Sequence, residues 1–165
     1  MSSKLSPIGW VSSAEAIMTT DLTPKFKSLS FYIGKDKITM GGIAKGSGMI
    51  HPNMATMLAF ITTDAAIDKK TLGRALREAN NKTFNRITVD GDTSTNDMAI
   101  LLANGKAKNK SIRAGSSAYD KFVGRLTEIC LYLAHQIVLD GEGATKFVTI
   151  RIQGAKAKIH VNRVA

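Results

Sequence analysis

The chain has 165 residues, of which 44% are hydrophobic and 22% are charged, and this composition fits a single globular domain with its own core. Its net charge of +10 makes an acidic partner worth considering, but the lysines are scattered and aromatic residues make up only 6% of the chain, too few for a surface that stacks nucleic-acid bases. No apolar run reaches the ~20 residues of a membrane-spanning helix, and the first residues lack the apolar stretch of a secretion signal. The single cysteine, Cys130, excludes an internal disulfide. We therefore expect a cytoplasmic protein with neither a membrane nor a nucleic acid as partner.

Hydrophobic periodicity predicts a mixture of helices and strands. In chain order, the predicted elements are a helix at 12–18, strands at 28–33, 37–44 and 54–62, a helix at 68–80, strands at 86–89 and 98–103, a helix at 120–139 and a strand at 147–152. Ser12 or Ser13 is the expected N-cap of the first helix and Asp68 that of the second. The segment 54–62 is apolar enough for a strand buried on both faces. This order predicts a layered α+β fold in one domain.

Two loops invite comparison with known ligand-binding loops. Lys45 precedes a Gly-Ser-Gly stretch, but no Gly-Lys-Ser/Thr closes it, so it is not a P-loop, and a flexible connection is the simpler interpretation. Residues 90–97 alternate acidic and polar side chains as a calcium loop does. Thr95 and Leu101 stand where an EF-hand needs glycine and glutamate, so we expect a hydrogen-bonded turn here and no metal site.

Two further residues are unusual for their surroundings. Glu142 lies between two glycines after the longest predicted helix, where the free backbone could aim its carboxylate into a cleft, although such a glutamate is more commonly solvated. Thr56 lies in the apolar segment 54–62, where threonine is usually a structural β-branched residue. Neither residue indicates a function alone; the combination with the two loops does.

Six stretches of the chain together resemble the glutamate N-acetyltransferase (ornithine acetyltransferase) family of arginine biosynthesis. They occur in the family's order and spacing and cover nearly the whole chain, at residues 16–21, 42–50, 52–58, 63–65, 84–97 and 140–146. The resemblance implies an αββα-like sandwich of the self-processing N-terminal-threonine type, present here incompletely as the central part of the protein.

In that family the precursor cuts its own Ala–Thr peptide bond, here Ala55–Thr56, and the new N-terminal threonine carries acetyl from N2-acetylornithine to glutamate. The resemblance makes Thr56 the catalytic, substrate-binding nucleophile. The chemistry is consistent with this role, because a threonine hydroxyl needs a base and the freed α-amine, with a pKa of about 7.7 to 8.0, can supply it.

The resemblance assigns substrate contacts to Lys45, Glu142 and Thr19, with the neighbouring Thr20 as the alternative to Thr19. Lys45 would hold the α-carboxylate that both substrates share, and Glu142 would pair with an amino group of ornithine. No cofactor and no metal are expected, although acetyl-CoA serves some members as an alternative acetyl donor.

The resemblance also implies the organisation of the protein. Cleavage divides the single partial domain, 1–165, into residues 1–55 from an α-chain and 56–165 from a β-chain, and the complete enzyme is an α/β heterotetramer. The family's oxyanion-hole pair, a threonine followed by a glycine, is expected upstream of these residues and a closing C-terminal segment downstream. Two alternatives stay open: a related N-terminal-threonine amidase or aminopeptidase, and a basic nucleic-acid-binding module.

Overall fold

Three α-helices and four strands make up most of the regular structure in the described residues. A computed structural model describes residues 6, 8–51, 57–92, 94 and 96–154. In chain order, the elements are α1 (Trp10–Ala16), β1 (Lys25–Ile33), β2 (Asp36–Lys45), β3 (Leu58–Thr63), α2 (Lys69–Asn80), a short 3-10 helix (Phe84–Arg86), β4 (Met98–Ala103) and α3 (Ser117–Leu139).

One mixed sheet joins the four strands in the order β1-β2-β3-β4. β1 pairs antiparallel with β2, and β2 antiparallel with β3. β3 and β4 run parallel, which requires a crossover, and α2 lies in that connection. Gly42 faces α3, and since side chains alternate along a strand, Lys45 three residues later faces the other side of the sheet.

The core lies between the sheet and α3, with α2 packed beside α3. α3 begins after Ser116, whose hydroxyl accepts a hydrogen bond from the Tyr119 amide at 3.2 Å. Its buried stripe contains Tyr119, Phe122, Val123, Leu126, Ile129, Cys130, Leu133, Ala134 and Ile137. The placement of Cys130 on this stripe confirms that it packs as an apolar residue, and burial raises the pKa of its thiol to about 12.

By length and composition, α3 could also cross a membrane, and it is the one such helix in the part of the chain that the structure describes. It meets these criteria by its mean hydropathy and not by an unbroken apolar run of ~20 residues, because Arg125 and Glu128 interrupt the apolar residues. Its apolar stripe is buried in the core, however, and a helix that forms the core of a globular fold meets the same criteria.

The other face of the sheet carries α1 at one corner. The rings of Trp10 and Phe26 meet edge to face with their centroids 4.8 Å apart. Beyond α1, Tyr32, Met98 and Leu102 are exposed on this face among the described residues. Lys45 lies on the same face, which α2 and α3 do not cover.

The predicted α+β class is confirmed, with one sheet and its helices in the described residues. A second sheet of the αββα sandwich is not among them. The helices at 68–80 and 120–139 and the strands at 28–33, 37–44 and 98–103 are present within a few residues of their predicted ends. Asp68 caps α2 as predicted, since its carboxylate accepts the amides of Lys70 and Thr71.

The start of the first helix and the character of the third strand were predicted wrongly. α1 begins at Trp10, so Ser12 and Ser13 lie inside it, and the Ser13 hydroxyl donates to the Gly9 carbonyl at 2.9 Å. β3 begins at Leu58 and is buried on alternate residues, so only one of its faces is buried. Residues 54–56 of the predicted strand lie outside the described residues.

Two predicted strands are irregular segments instead. Arg86 ends the 3-10 helix, and Val89 donates its amide to the Ile50 carbonyl at 2.8 Å without a continuous ladder. Residues 147–152 pair with no strand in the described part of the chain. Phe147 rests on His135 of α3, but Val148 and Ile150 are exposed, so an alternating pattern here has no sheet to join.

Candidate functional site

Lys45 ends β2 and is buried, with 8% of its surface exposed. Its Nζ donates a hydrogen bond to Thr19 Oγ1 at 3.0 Å. Gly46 follows with a φ of 147°, a conformation nearly restricted to glycine, and it ends the strand at this point. A largely dehydrated ammonium beside a hydroxyl is suited to binding a carboxylate.

Ser47 links the Lys45 loop to the segment after α3. It is buried, and its carbonyl accepts the Glu142 amide at 2.7 Å. Its hydroxyl lies 2.6 Å from Thr20 Oγ1 and 3.5 Å from Glu142 Oε1, where it can donate a long hydrogen bond to the carboxylate. Ser47 thus connects Thr20 and Glu142, and sequence reasoning missed it because a serine between two glycines is typical of any loop.

The carboxylate of Glu142 packs directly on the backbone of Gly48. A Cβ added to Gly48 would lie 3.1 to 3.2 Å from the carboxyl carbon and oxygens of Glu142. Gly141 is equally confined, since a Cβ there would lie 2.9 Å from a methyl group of Val89. A side chain at residue 141 would therefore force Val89 to shift, and one at residue 48 would displace the exposed carboxylate of Glu142.

Beneath these residues lies a buried ion triad, defined as Asp21, Lys25 and Asp140. Lys25 Nζ lies 2.6 Å from Asp21 Oδ1 and 2.5 Å from Asp140 Oδ2. Burial alone would raise the pKa of Asp21, but hydrogen bonds from the Gly46 amide, from Lys25 and from the Thr19 amide outweigh it and lower that pKa. Asp21 is therefore ionised at neutral pH.

The polar loop at 88–97 holds the chain on both sides of residues 52–56. Asp90 accepts the amides of Met49 at 2.5 Å and Ile50 at 3.0 Å, and Asp97 Oδ1 accepts the Met57 amide at 2.7 Å. Burial raises the pKa of Asp97, against the opposing effects of the Met57 amide and of Lys45. Within the loop, the Asp90 carboxylate accepts the Asp92 amide and the Ser94 hydroxyl accepts the Asn96 amide, both at 3.2 Å, so the predicted hydrogen-bonded turn is confirmed for the described residues.

Ala55 and Thr56, the predicted cleavage site and nucleophile, lie outside the described residues. Their chain neighbours are placed: Met57 is held by Asp97, and Leu58 is the cross-strand partner of Lys45. Of the other predicted site residues, Thr19 contacts Lys45 directly, and Glu142 joins them through Ser47. Thr20 contacts Ser47 rather than Lys45.

A small cavity of about 60 Å³ opens beside the same flanking residues. It is lined by Ile50, His51, Met57, Asn80, Phe84, Asn85, Ile87, Asp97, Met98 and Ala99. Two buried oxygens of its lining, Asn80 Oδ1 and Asp97 Oδ2, accept no hydrogen bond within the described structure. The described residues contain no group of three or more His, Cys, Asp or Glu side chains that could hold a metal ion.

Comparison with known proteins gives a consistent result. The sequence matches the profile of the ArgJ family over residues 1–165. It is 56% identical over 151 residues to the arginine biosynthesis bifunctional protein ArgJ of Symbiobacterium thermophilum, covering 92% of this chain and 38% of that protein. It is 49% identical over 162 residues to ArgJ of Bacillus subtilis, covering 98% of this chain and 40% of the relative.

A solved structure agrees with these relatives. The crystal structure of ArgJ from Bacillus halodurans superimposes with a TM-score of 0.51 at 52% identity, over 53% of this chain and 41% of that one. The chain spans about two fifths of the length of the relatives it matches.

Proposed function

Because the chain belongs to the ArgJ family, we propose that the protein transfers acetyl from N2-acetylornithine to glutamate through an acetyl-threonine intermediate on Thr56. The nucleophile becomes available when the precursor cuts its own Ala55–Thr56 bond. Residues 1–55 then belong to an α-chain and residues 56–165 to a β-chain.

The observation that carries this proposal is the meeting of three predicted substrate residues from distant parts of the chain. Thr19 and Lys45 are in hydrogen-bond contact although 26 residues separate them. Glu142 reaches the same loop through Ser47, 95 residues earlier in the chain. A cation and a carboxylate brought to one loop suit an amino-acid substrate, which carries both charges.

The proposed chemistry assigns a separate task to each group. The α-amine of Thr56, free after cleavage, takes the proton of the Thr56 hydroxyl as it attacks the acetyl carbonyl of N2-acetylornithine. The proton passes to the departing ornithine amine, and acetyl remains on the threonine oxygen. Glutamate then enters and its amine attacks the ester carbonyl; the bond from the acetyl carbon to the threonine oxygen breaks, and a proton from that amine, passed through the Thr56 α-amine, regenerates the hydroxyl. Lys45 holds the α-carboxylate in both halves, and Glu142 binds an amino group of ornithine.

Further parts of the proposal are carried by family resemblance alone. They are an α/β heterotetramer as the assembly, the cytoplasm as the compartment, and no resident cofactor, with acetyl-CoA as a possible second acetyl donor.

The decisive experiment is to replace Thr56. The protein is expressed from its whole gene, together with any residues that flank this chain. Thr56→Ala should give an uncleaved precursor that forms no acetyl-enzyme, as read by intact mass after incubation with N2-acetylornithine. The expected loss in kcat is large, on the order of 10⁶-fold, as for removal of a serine nucleophile. Thr56→Ser should still cleave, because it keeps the hydroxyl. Thr62→Ala, at an exposed threonine of β3, is the matched control and should behave as wild type. Transfer at the wild-type rate by the Thr56→Ala protein would disprove the assignment.

Kinetics separate the transferase from its alternatives. An acetyl-enzyme shared by two half-reactions predicts ping-pong kinetics and exchange of labelled ornithine into N2-acetylornithine without glutamate. Hydrolysis of N2-acetylornithine at equal rates with and without glutamate, and no N-acetylglutamate, would instead indicate an amidase. A nucleic-acid-binding module would bind duplex DNA with an affinity that falls steeply with salt and does not depend on Thr56.

A further inference from the structure

We propose that the buried ion triad of Lys25, Asp21 and Asp140 is a positioning device for substrate binding. It fixes the three segments that carry Thr19, Lys45 and Glu142 relative to one another. This inference rests on the proposed function of that site and names residues that act on substrate only through their neighbours.

Lys25 is the centre of the triad and is fully enclosed, with 1% of its surface exposed. A lysine ammonium has three donors. They go to Asp21 Oδ1 at 2.6 Å, to Asp140 Oδ2 at 2.5 Å and to the Thr23 carbonyl at 3.2 Å. Because every donor is used by the protein, Lys25 has no hydrogen left for a substrate, and its role must be exerted on the groups it binds.

Asp21 forms the arm that reaches the Lys45 loop. The oxygen that binds Lys25 also accepts the Gly46 amide at 2.7 Å, directly after Lys45. Its other oxygen accepts the Thr19 amide at 3.2 Å. One buried carboxylate therefore holds the backbone beside both partners of the Lys45–Thr19 hydrogen bond.

Asp140 forms the arm that reaches the end of α3. It follows the last residue of the helix, and its Oδ2 accepts the amides of Leu22 at 3.0 Å and Thr23 at 3.4 Å. Glu142 lies two residues further on. The link from Asp140 through Lys25 to Asp21 thus ties the Glu142 segment to residues 19–23 and, through Gly46, to Lys45.

Stability is a poor explanation for such a triad. Removing charges from water is costly, and replacing a buried ion pair by apolar residues is often neutral or stabilising. However, buried ion pairs whose hydrogen-bonding groups are all satisfied fix the geometry of the groups that they bind. Here the partners are the backbone segments of three residues predicted to contact substrate.

The test compares Lys25→Met with wild type in the protein expressed with its natural flanking residues. Methionine keeps the unbranched shape and removes the charge. Three measurements are made: the midpoint of thermal unfolding, amide hydrogen exchange of the folded protein, and steady-state kinetics with N2-acetylornithine and glutamate. We expect the amides of residues 22, 46 and 142 to exchange at least ten-fold faster, while amides in the middle of α3 exchange as in wild type. We also expect KM for both substrates to rise by about ten-fold or more, with a smaller fall in kcat, because displacement of binding groups by about 1 Å has effects of this size.

Two controls make the result specific. Arg125→Met breaks an exposed ion pair with Glu128 on α3 and should leave all three measurements as in wild type. The double variant Lys25→Met with Asp140→Asn removes one of the two stranded carboxylates, so it should recover thermal stability without recovering KM. Recovery of both would mean that the triad is merely structural and would overturn the inference.

Hydrogen exchange tests the positioning role of the triad independently of the proposed reaction. Unchanged exchange at residues 22, 46 and 142, or exchange that rises equally throughout α3, would overturn the positioning role. Absence of acetyl transfer by the wild-type protein would instead refute the proposed function, and the local exchange pattern would still report whether the triad holds the three segments together.

Discussion

Glu142 is exposed, yet both its backbone and its carboxylate contact the Lys45 loop. Its amide is bound by the Ser47 carbonyl, its carboxylate lies near the Ser47 hydroxyl, and the same carboxylate rests on Gly48. The contacts that restrain Glu142 come from the Lys45 loop rather than from its neighbours in the sequence. The position of this carboxylate therefore depends on the absence of a side chain at residue 48.

Gly48→Ala is expected to displace the Glu142 carboxylate, because the new Cβ would lie 3.1 Å from it. Under the proposed function, KM for N2-acetylornithine should rise by roughly ten-fold, while the proposed self-cleavage before Thr56 proceeds as in wild type. Gly41→Ala is the control, since a Cβ there has only ordinary contacts at 3.8 Å. Initial-rate kinetics and intact mass give the two readouts; an unchanged KM would show that Glu142 does not bind this substrate.

At the scale of elements, the contact between β2 and α3 sets how closely the long helix lies on the sheet. Gly42 is a point of close approach, because a Cβ added there would lie 3.1 to 3.2 Å from side-chain atoms of Leu133, Ile129 and Ile61. The same strand ends three residues later at Lys45, so the packing of the core fixes one end of the candidate site. Gly124, on the exposed side of α3, has no neighbour within 4 Å of an added Cβ.

Two glycine substitutions should therefore change stability in opposite directions. Gly42→Ala should destabilise the fold by ~1–3 kcal/mol, because an added methyl group overpacks the helix–sheet contact. Gly124→Ala should stabilise it by ~0.5–1 kcal/mol, because alanine is the better residue within a helix. Urea unfolding followed by circular dichroism measures both, and stabilisation by Gly42→Ala would contradict the close approach of α3.

At the scale of the whole molecule, carboxylates that accept backbone amides hold the irregular segments to the sheet. Asp21 and Asp90 are of this kind. Burial alone would raise the pKa of Asp90, but hydrogen bonds from the amides of Met49, Asp92 and Ile50 outweigh it and lower that pKa. The pKa of Asp97 is shifted in the opposite direction, because burial raises it.

Stability should therefore fall in acid, and Asp90→Asn should reduce that fall. The unfolded chain binds protons near the ordinary aspartate value of 3.8, whereas folded Asp90 binds them only at lower pH. Its stabilising contribution is thus present above pH 3.8 and is lost as the pH falls through the lower folded value. The difference in urea midpoint between pH 7 and pH 3 should be smaller for Asp90→Asn than for wild type. Asp36→Asn, at the start of β2, is the control, and an Asp90→Asn protein with the wild-type difference would refute the prediction.

The sequence alone was sufficient to predict the helices and strands that local residue patterns specify. The repeat of apolar residues at three- and four-residue spacing predicts α3, and Asp68 before a helical stretch predicts the start of α2. It also brought Thr19, Lys45 and Glu142 forward as site residues, through resemblance rather than through periodicity. Their roles, like that of Thr56, stay predictions.

Local pattern failed where a partner elsewhere in the chain decides the outcome. Residues 147–152 alternate as a strand does, but a strand exists only when another edge accepts its hydrogen bonds. Lys25 would be assigned to the surface by its charge, yet it is buried because Asp21 and Asp140 enclose it from four residues before it and 115 residues after it. Sequence thus determined the residue types and the local elements of this protein. Only the tertiary structure decided which charges meet, because electrostatic and hydrogen-bond partners are set by distance in space and not by separation along the chain.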